Sequence, residues 1–108
     1  MSVSVWSPRQ IWAARLNGGF TPPLRAWALL ETLGPEGLER AGEEDWIRVL
    51  GDTTLEEVSR WRKATMLFNV AAEERRAAAL GARLMVRGDV DYPELLESIY
   101  DPPIVLYV

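Results

Sequence analysis

From Ser7 onward, apolar residues recur at helical spacing in blocks, and Gly and Pro separate the blocks. Ser7-Pro8-Arg9-Gln10 reads as a helix start: Ser7 can cap, Pro8 suits the first helical position, and Gln10 stands where a capping box needs it. The helix runs through Ile11, Trp12 and Leu16 to Asn17-Gly18-Gly19, which ends it. Thr21-Pro22 opens a second helix, with Leu24, Trp27, Ala28 and residues 30–33 as its apolar face, and Gly34-Pro35 stops it. Residues 37–41 make one short turn. Glu43-Glu44-Asp45 then places three acids where a helix macrodipole favours them, ahead of Trp46, Ile47, Val49 and Leu50. After Gly51, the stretch from Asp52 to Glu57 is another capping signal. A helical pattern follows as far as Leu80, with Gly81 as terminator. Ala64, Leu67, Phe68, Ala71 and Ala72 form the expected core-facing stripe. This span is long for one globular helix; residues 59–64 are where a break could fall, although no Gly or Pro marks one there.

Beyond Gly81 the pattern changes period. Leu84-Met85-Val86, flanked by Arg83 and Arg87, reads as a short strand, and Gly88-Asp89 as a turn. Pro93 starts a short helix over residues 94–99, which Asp101-Pro102-Pro103 terminates. Residues 104–108 are a strand rich in β-formers. The expected fold is therefore mainly α: a helical unit over residues 1–81, then a strand–helix–strand segment over 82–108. Leu67, Phe68 and Trp27 are expected in the core.

Composition narrows the chemistry. The chain has 108 residues, 48% of them apolar, with no Cys and no His. Disulfides, thiolate chemistry and Cys/His zinc sites are thereby excluded. No run of 18 apolar residues suggests a membrane span, and the N-terminus lacks the basic and apolar regions of a signal peptide, so a cytoplasmic protein is expected. The net charge of −4 conceals an alternation: +3 over residues 1–30, −7 over 31–57, +5 over 58–87 and −5 over 88–108. Eleven of the twelve bases are Arg, the side chain suited to bidentate phosphate or carboxylate contacts.

The tail carries a more specific pattern: Gly, an apolar strand, D-x-x-Y-P, spaced Leu and Ile, D-x-P, and an apolar strand with an aromatic. Gly81, Asp89, Tyr92, Pro93, Leu96, Ile99, Asp101, Pro103, Leu106 and Tyr107 occupy those positions. The segment resembles the approach to the Rossmann-like domain of the DNA-processing protein A (DprA/Smf) family. The helical part is similar in position and size to that family's N-terminal domain, a sterile-alpha-motif (SAM-like) or helix-hairpin-helix fold. The resemblance implies a non-enzymatic protein of natural transformation that binds and protects incoming single-stranded DNA and loads the RecA recombinase. It also implies that the chain is an N-terminal fragment. The family's DNA-binding loops lie in the Rossmann-like domain, downstream of residue 108, so none of its binding residues transfers here. Many members have a Pro-Gly-apolar-Gly hairpin after the second helix. Here Leu33-Gly34-Pro35-Glu36-Gly37-Leu38 stands instead, and a carboxylate at Glu36 would repel phosphate, so this hairpin reads as structural.

Arg60, Arg62, Lys63, Arg75 and Arg76, with Trp61 among them, are the candidate nucleic-acid-binding residues, because Arg with an aromatic can serve single strands by pairing and stacking. The competing reading is a solvated helix face with Trp61 in the core and Glu56–Arg60-type helix pairs. Asp89, Asp91 and Asp101 could hold a divalent cation, but turn chemistry accounts for them better, so no metal and no cofactor are expected. Tyr92, extended because Pro93 follows, should aim its ring into the seam between the two units. Without His or Cys, no acid–base pair is poised for catalysis. The alternative to the DNA-processing reading is an interaction module whose partner is another protein or a second copy of the chain. For the strand at residues 104–108, pairing with residues 83–87 or with a second copy is expected.

Overall fold

The computed structural model describes residues 5–108, in the order α1 Pro8–Gly18, α2 Pro23–Arg40, α3 Glu43–Leu50, α4 Leu55–Leu67, α5 Val70–Ala79, β1 Leu84–Val86, α6 Glu94–Glu97 and β2 Val105–Tyr107. It is mainly helical, with one small antiparallel sheet. No strand precedes residue 82 among the described residues, as the hydrophobic pattern requires.

The local signals explain most boundaries. Ser7 Oγ accepts from the Gln10 amide at 3.2 Å while Gln10 Oε1 accepts from the Ser7 amide at 2.8 Å, a complete capping box. Thr54 and Glu57 repeat it at the start of α4, at 3.1 and 3.2 Å. Asp45 reaches back to accept from the Gly42 amide at 2.9 Å. Gly34 breaks α2 with φ 67° and ψ 174°, and Pro35 restarts it, so the expected stop is a kink from which Leu38 enters the core.

The long helical pattern breaks at Phe68 and Asn69, not within residues 59–64. Phe68 is extended at φ −63°, ψ 129°, and Asn69 Oδ1 accepts from the Ala72 amide at 3.0 Å as the cap of α5. The reason is tertiary. A Cβ on Gly18 would stand 2.3 Å from the Phe68 ring, and one on Gly19 2.5 Å from Thr65 Oγ1, so the glycine pair closing α1 also makes room for the α4–α5 junction. The expected apolar stripe is corrected with it. Leu67 is 73% exposed and Ala71 is exposed, whereas Val58, Trp61 and Thr65 are buried. Residues 58, 61 and 65 share one helical face, and Leu67 lies about 200° round from Thr65. Phe68 and Trp27 are only half-buried, so neither belongs to the core as expected.

Helix α1 is the hub, in contact with α2, α4, α5 and both strands. Its Ala13 and Ala14 are fully buried, and their small side chains let the neighbouring helices approach closely. Trp12, Leu16, Leu29 and Trp46 from the helices share one buried cluster with Leu84, Val86, Ile104 and Val105 from the strand segment. In the sheet Leu84 faces Tyr107, Met85 faces Leu106 and Val86 faces Val105. Reciprocal bonds between Arg83 and Val108, at 2.7 and 2.9 Å, and one from Arg87 to Ile104 at 2.8 Å, extend the ladder at both ends. The strand at residues 104–108 thus pairs with residues 83–87 within the chain, one of the two expected arrangements. No helix among the described residues is long and apolar enough to cross a membrane.

Candidate functional site

The five candidate bases are dispersed. Arg60 and Lys63, three apart on α4, are exposed and line an open hollow of about 650 Å³ together with Glu43, Leu55, Glu56 and Ser59. Two acids there offset two bases, which gives phosphate little net attraction. The Glu56–Arg60 pair expected on this helix is not formed, and Glu57 is engaged in the α4 cap. Arg62 turns elsewhere: its Nε and Nη2 donate to the Ala41 carbonyl at 3.1 and 2.9 Å, satisfying the free end of α2. Arg75 is exposed, and Arg76 is paired with Glu73. Trp61 is 8% exposed and belongs to the core cluster, so its ring offers no stacking platform.

Two of the three acidic candidates in the tail are engaged within the chain. Asp89 Oδ2 accepts from the Val86 amide at 2.8 Å and its own amide donates to the Val86 carbonyl at 3.0 Å, closing the turn after β1. Asp91 pairs with Arg83 at 2.8 Å, and Asp101 is exposed. No cluster of three potential metal ligands occurs among the described residues. Tyr92 is buried, and its hydroxyl donates to the Pro103 carbonyl at 2.6 Å. This hydroxyl is therefore bonded within the tail and closes the loop that carries α6. Burial pushes its pKa above the ordinary phenol value, with the Glu97 carboxylate adding to the effect. Tyr107 is shifted the same way, by burial and then by Glu73. Asp52 is shifted down, chiefly by its hydrogen bond from Arg25 and then by that guanidinium's charge. The Arg25–Asp52 contact, at 2.9 Å, ties α2 to the loop after α3.

A joint between helices and tail was not visible in the sequence pattern. The Arg87 guanidinium lies 4.4 Å from the centroid of Trp27 and that of Arg9 lies 5.7 Å from it. Arg9 Nη2 also donates to the Arg87 carbonyl at 2.8 Å and to Glu31 at 3.0 Å, and Arg87 Nε reaches Glu97 at 3.2 Å. Gly88 sits against this group at φ +95°, where a Cβ would meet both Arg9 and Trp27 at 3.1 Å. Gln10 Nε2 donates to the Leu84 carbonyl at 3.0 Å beside it. The only hint in the sequence is that residues 1–30 hold Arg9, Arg15 and Arg25 and no acid. The partners lie far apart along the chain, so no local pattern joins them.

No family model, no curated protein and no solved structure matches the chain.

Proposed function

We propose that the chain is the N-terminal part of a DprA-like DNA-processing protein. In this reading, residues 1–81 are its SAM-like domain and residues 82–108 lead into its Rossmann-like domain. Such a protein binds and protects incoming single-stranded DNA and loads RecA without itself being an enzyme. The observation that supports the reading is that four of the residues that carry the resemblance shape the tail. Gly81 adopts φ +67°, Asp89 closes the turn onto Val86, and Tyr92 bonds to the carbonyl of Pro103. The dispersal of Arg60, Arg62, Lys63, Arg75 and Arg76 fits a division of labour in which the DNA contacts lie outside this chain.

A chimaera tests the proposal. Residues 1–108 replace the corresponding segment of a DprA-family protein, and single-strand binding and RecA loading are assayed. Both activities are expected to persist. A chimaera that folds, as judged by circular dichroism, but loads no RecA would refute the reading.

A further inference from the structure

Residues 82–108 follow a point where the chain could hinge. Gly81 adopts φ +67° and Gly88 φ +95°, so both ends of β1 are bounded by a residue that rotates freely. The strand segment also has little to hold it together by itself. A lone two-stranded sheet is at best marginal in water, and units below about 40 residues need staples or a partner, yet the chain has no Cys. What the segment has instead is the helices. Leu84, Val86, Ile104 and Val105 are buried in one cluster with Trp12, Leu16, Leu29 and Trp46, so each part covers apolar surface of the other.

Polar contacts then fix the segment against α1 and α2. Gln10 is bonded in two directions. Its Oε1 accepts from the Ser7 amide at 2.8 Å, completing the cap of α1, and its Nε2 donates to the Leu84 carbonyl at 3.0 Å. At the other end of β1, Arg9 Nη2 donates to the Arg87 carbonyl at 2.8 Å. The Arg87 side chain is 13% exposed, and its guanidinium lies over Trp27, 4.4 Å from the ring centroid. A cation over a ring is held more strongly in such a desolvated place than at an exposed one. Gly88 lies so close to Arg9 and Trp27 that a Cβ would stand 3.1 Å from each, so its neighbours fill the space a rotation there would need. On the Gly81 side, the Ala82 amide donates to the Ala77 carbonyl at 2.8 Å and ties the connection to the last turn of α5.

We propose that this group is a weld. Arg9, Gln10 and Trp27 on the helices, with Leu84, Arg87 and Gly88 on the tail, make residues 82–108 move and unfold with the helices as one body. Neither Gly81 nor Gly88 then serves as a hinge, and the strand pair keeps one orientation relative to α1. The inference rests on contacts within the chain and does not depend on the DNA-processing reading.

Native-state hydrogen exchange of the full chain, followed amide by amide at rising urea below the unfolding midpoint, tests it. The ladder amides, that of Arg87 among them, and the interior amides of α1 are expected to open together, with protection agreeing within about tenfold. Ladder amides that exchange more than about tenfold faster than those of α1 would reveal a separate opening of the tail and overturn the proposal. Two substitutions probe the coupling from either side. Gln10→Glu keeps an acceptor for the Ser7 amide, because glutamate also completes a capping box, and loses the donor to Leu84. Arg87→Lys keeps the charge and loses the planar group over Trp27. Each is expected to lower protection by about 5–30-fold, and by the same factor in α1 as in the ladder. A change confined to the part that carries the substitution, or no change from either, contradicts the weld. Should a variant fail to fold, the wild-type profile decides alone.

Discussion

Replacing Tyr92 by Phe removes one hydroxyl and leaves the ring. The ring is 5% exposed, and its Oη lies 2.6 Å from the Pro103 carbonyl, so the substitution deletes one short hydrogen bond without opening a cavity. A bond of this kind contributes about 0.5–1.5 kcal/mol net, and leaving its acceptor without a donor raises the loss to about 1–3 kcal/mol. Pro103 is half-buried, so water can reach part of the vacated site, and a loss of about 1–2 kcal/mol is expected. For a domain of this size that lowers Tm by roughly 5–10 °C. Urea unfolding followed by the fluorescence of the five Trp measures it, with the midpoint moving and the slope unchanged. The pH dependence supplies a second check. The folded pKa of Tyr92 lies above the value of 10.0 expected for an ordinary phenol, so between those values the folded state holds a proton that the unfolded state has released. Stability therefore falls as pH rises past about 10, and the phenylalanine variant lacks this contribution. Tyr107 supplies a similar slope in both proteins, so the readout is the difference between them, which should narrow above about pH 10. Equal stability at neutral pH, within about 0.3 kcal/mol, would refute the role given to the hydroxyl. Parallel pH curves would refute the argument from burial.

Asn69→Ala removes the cap of α5 and should cost about 1 kcal/mol, with faster amide exchange in Val70–Ala79; unchanged exchange there would mean that packing of Phe68 alone holds the break. Gly88→Ala sets a Cβ against Arg9 and Trp27 at a positive φ, and a loss of about 1–3 kcal/mol is expected in urea unfolding; a loss under about 0.5 kcal/mol would contradict the close packing of the joint. Fluorescence anisotropy with labelled oligo-dT should show binding no tighter than a Kd on the order of 10⁻⁴–10⁻⁶ M at physiological salt. Nanomolar binding that Arg60→Ala with Lys63→Ala abolishes would make the helical part a DNA-binding module in its own right.

The signals read correctly from the sequence are those whose physics is local. A capping side chain and its amide are three residues apart, so Ser7 with Gln10 and Thr54 with Glu57 announce α1 and α4 without reference to the rest of the molecule. Gly34, Gly51 and Gly81 adopt positive φ where helical segments stop, as glycine permits. The change of period after Gly81 marks both strands for the same reason. Asn69 is the instructive miss. It is a good cap residue, yet it lies inside a run that reads as continuous helix, and nothing within a few residues of it requires a break.

That break, and much of what the candidate residues do, was decided by contacts between distant parts of the chain. The Phe68 ring needs the space that Gly18 leaves on α1, some fifty residues earlier. The basic run at residues 60–76 looks like one surface along the chain. In three dimensions Arg62 is turned to the end of α2, Arg76 is paired with Glu73, and Trp61 is taken into the core. Arg9, Trp27, Glu31, Arg87 and Glu97 show the converse, unremarkable in sequence and gathered by folding. Dihedral preference, capping and hydrophobic period act over a few residues, so most helix ends and both strands are legible in the chain itself. Which helical face is buried, where the α4–α5 break falls and how Arg62 and the Arg9–Trp27–Arg87 group are engaged depend instead on what folding brings alongside.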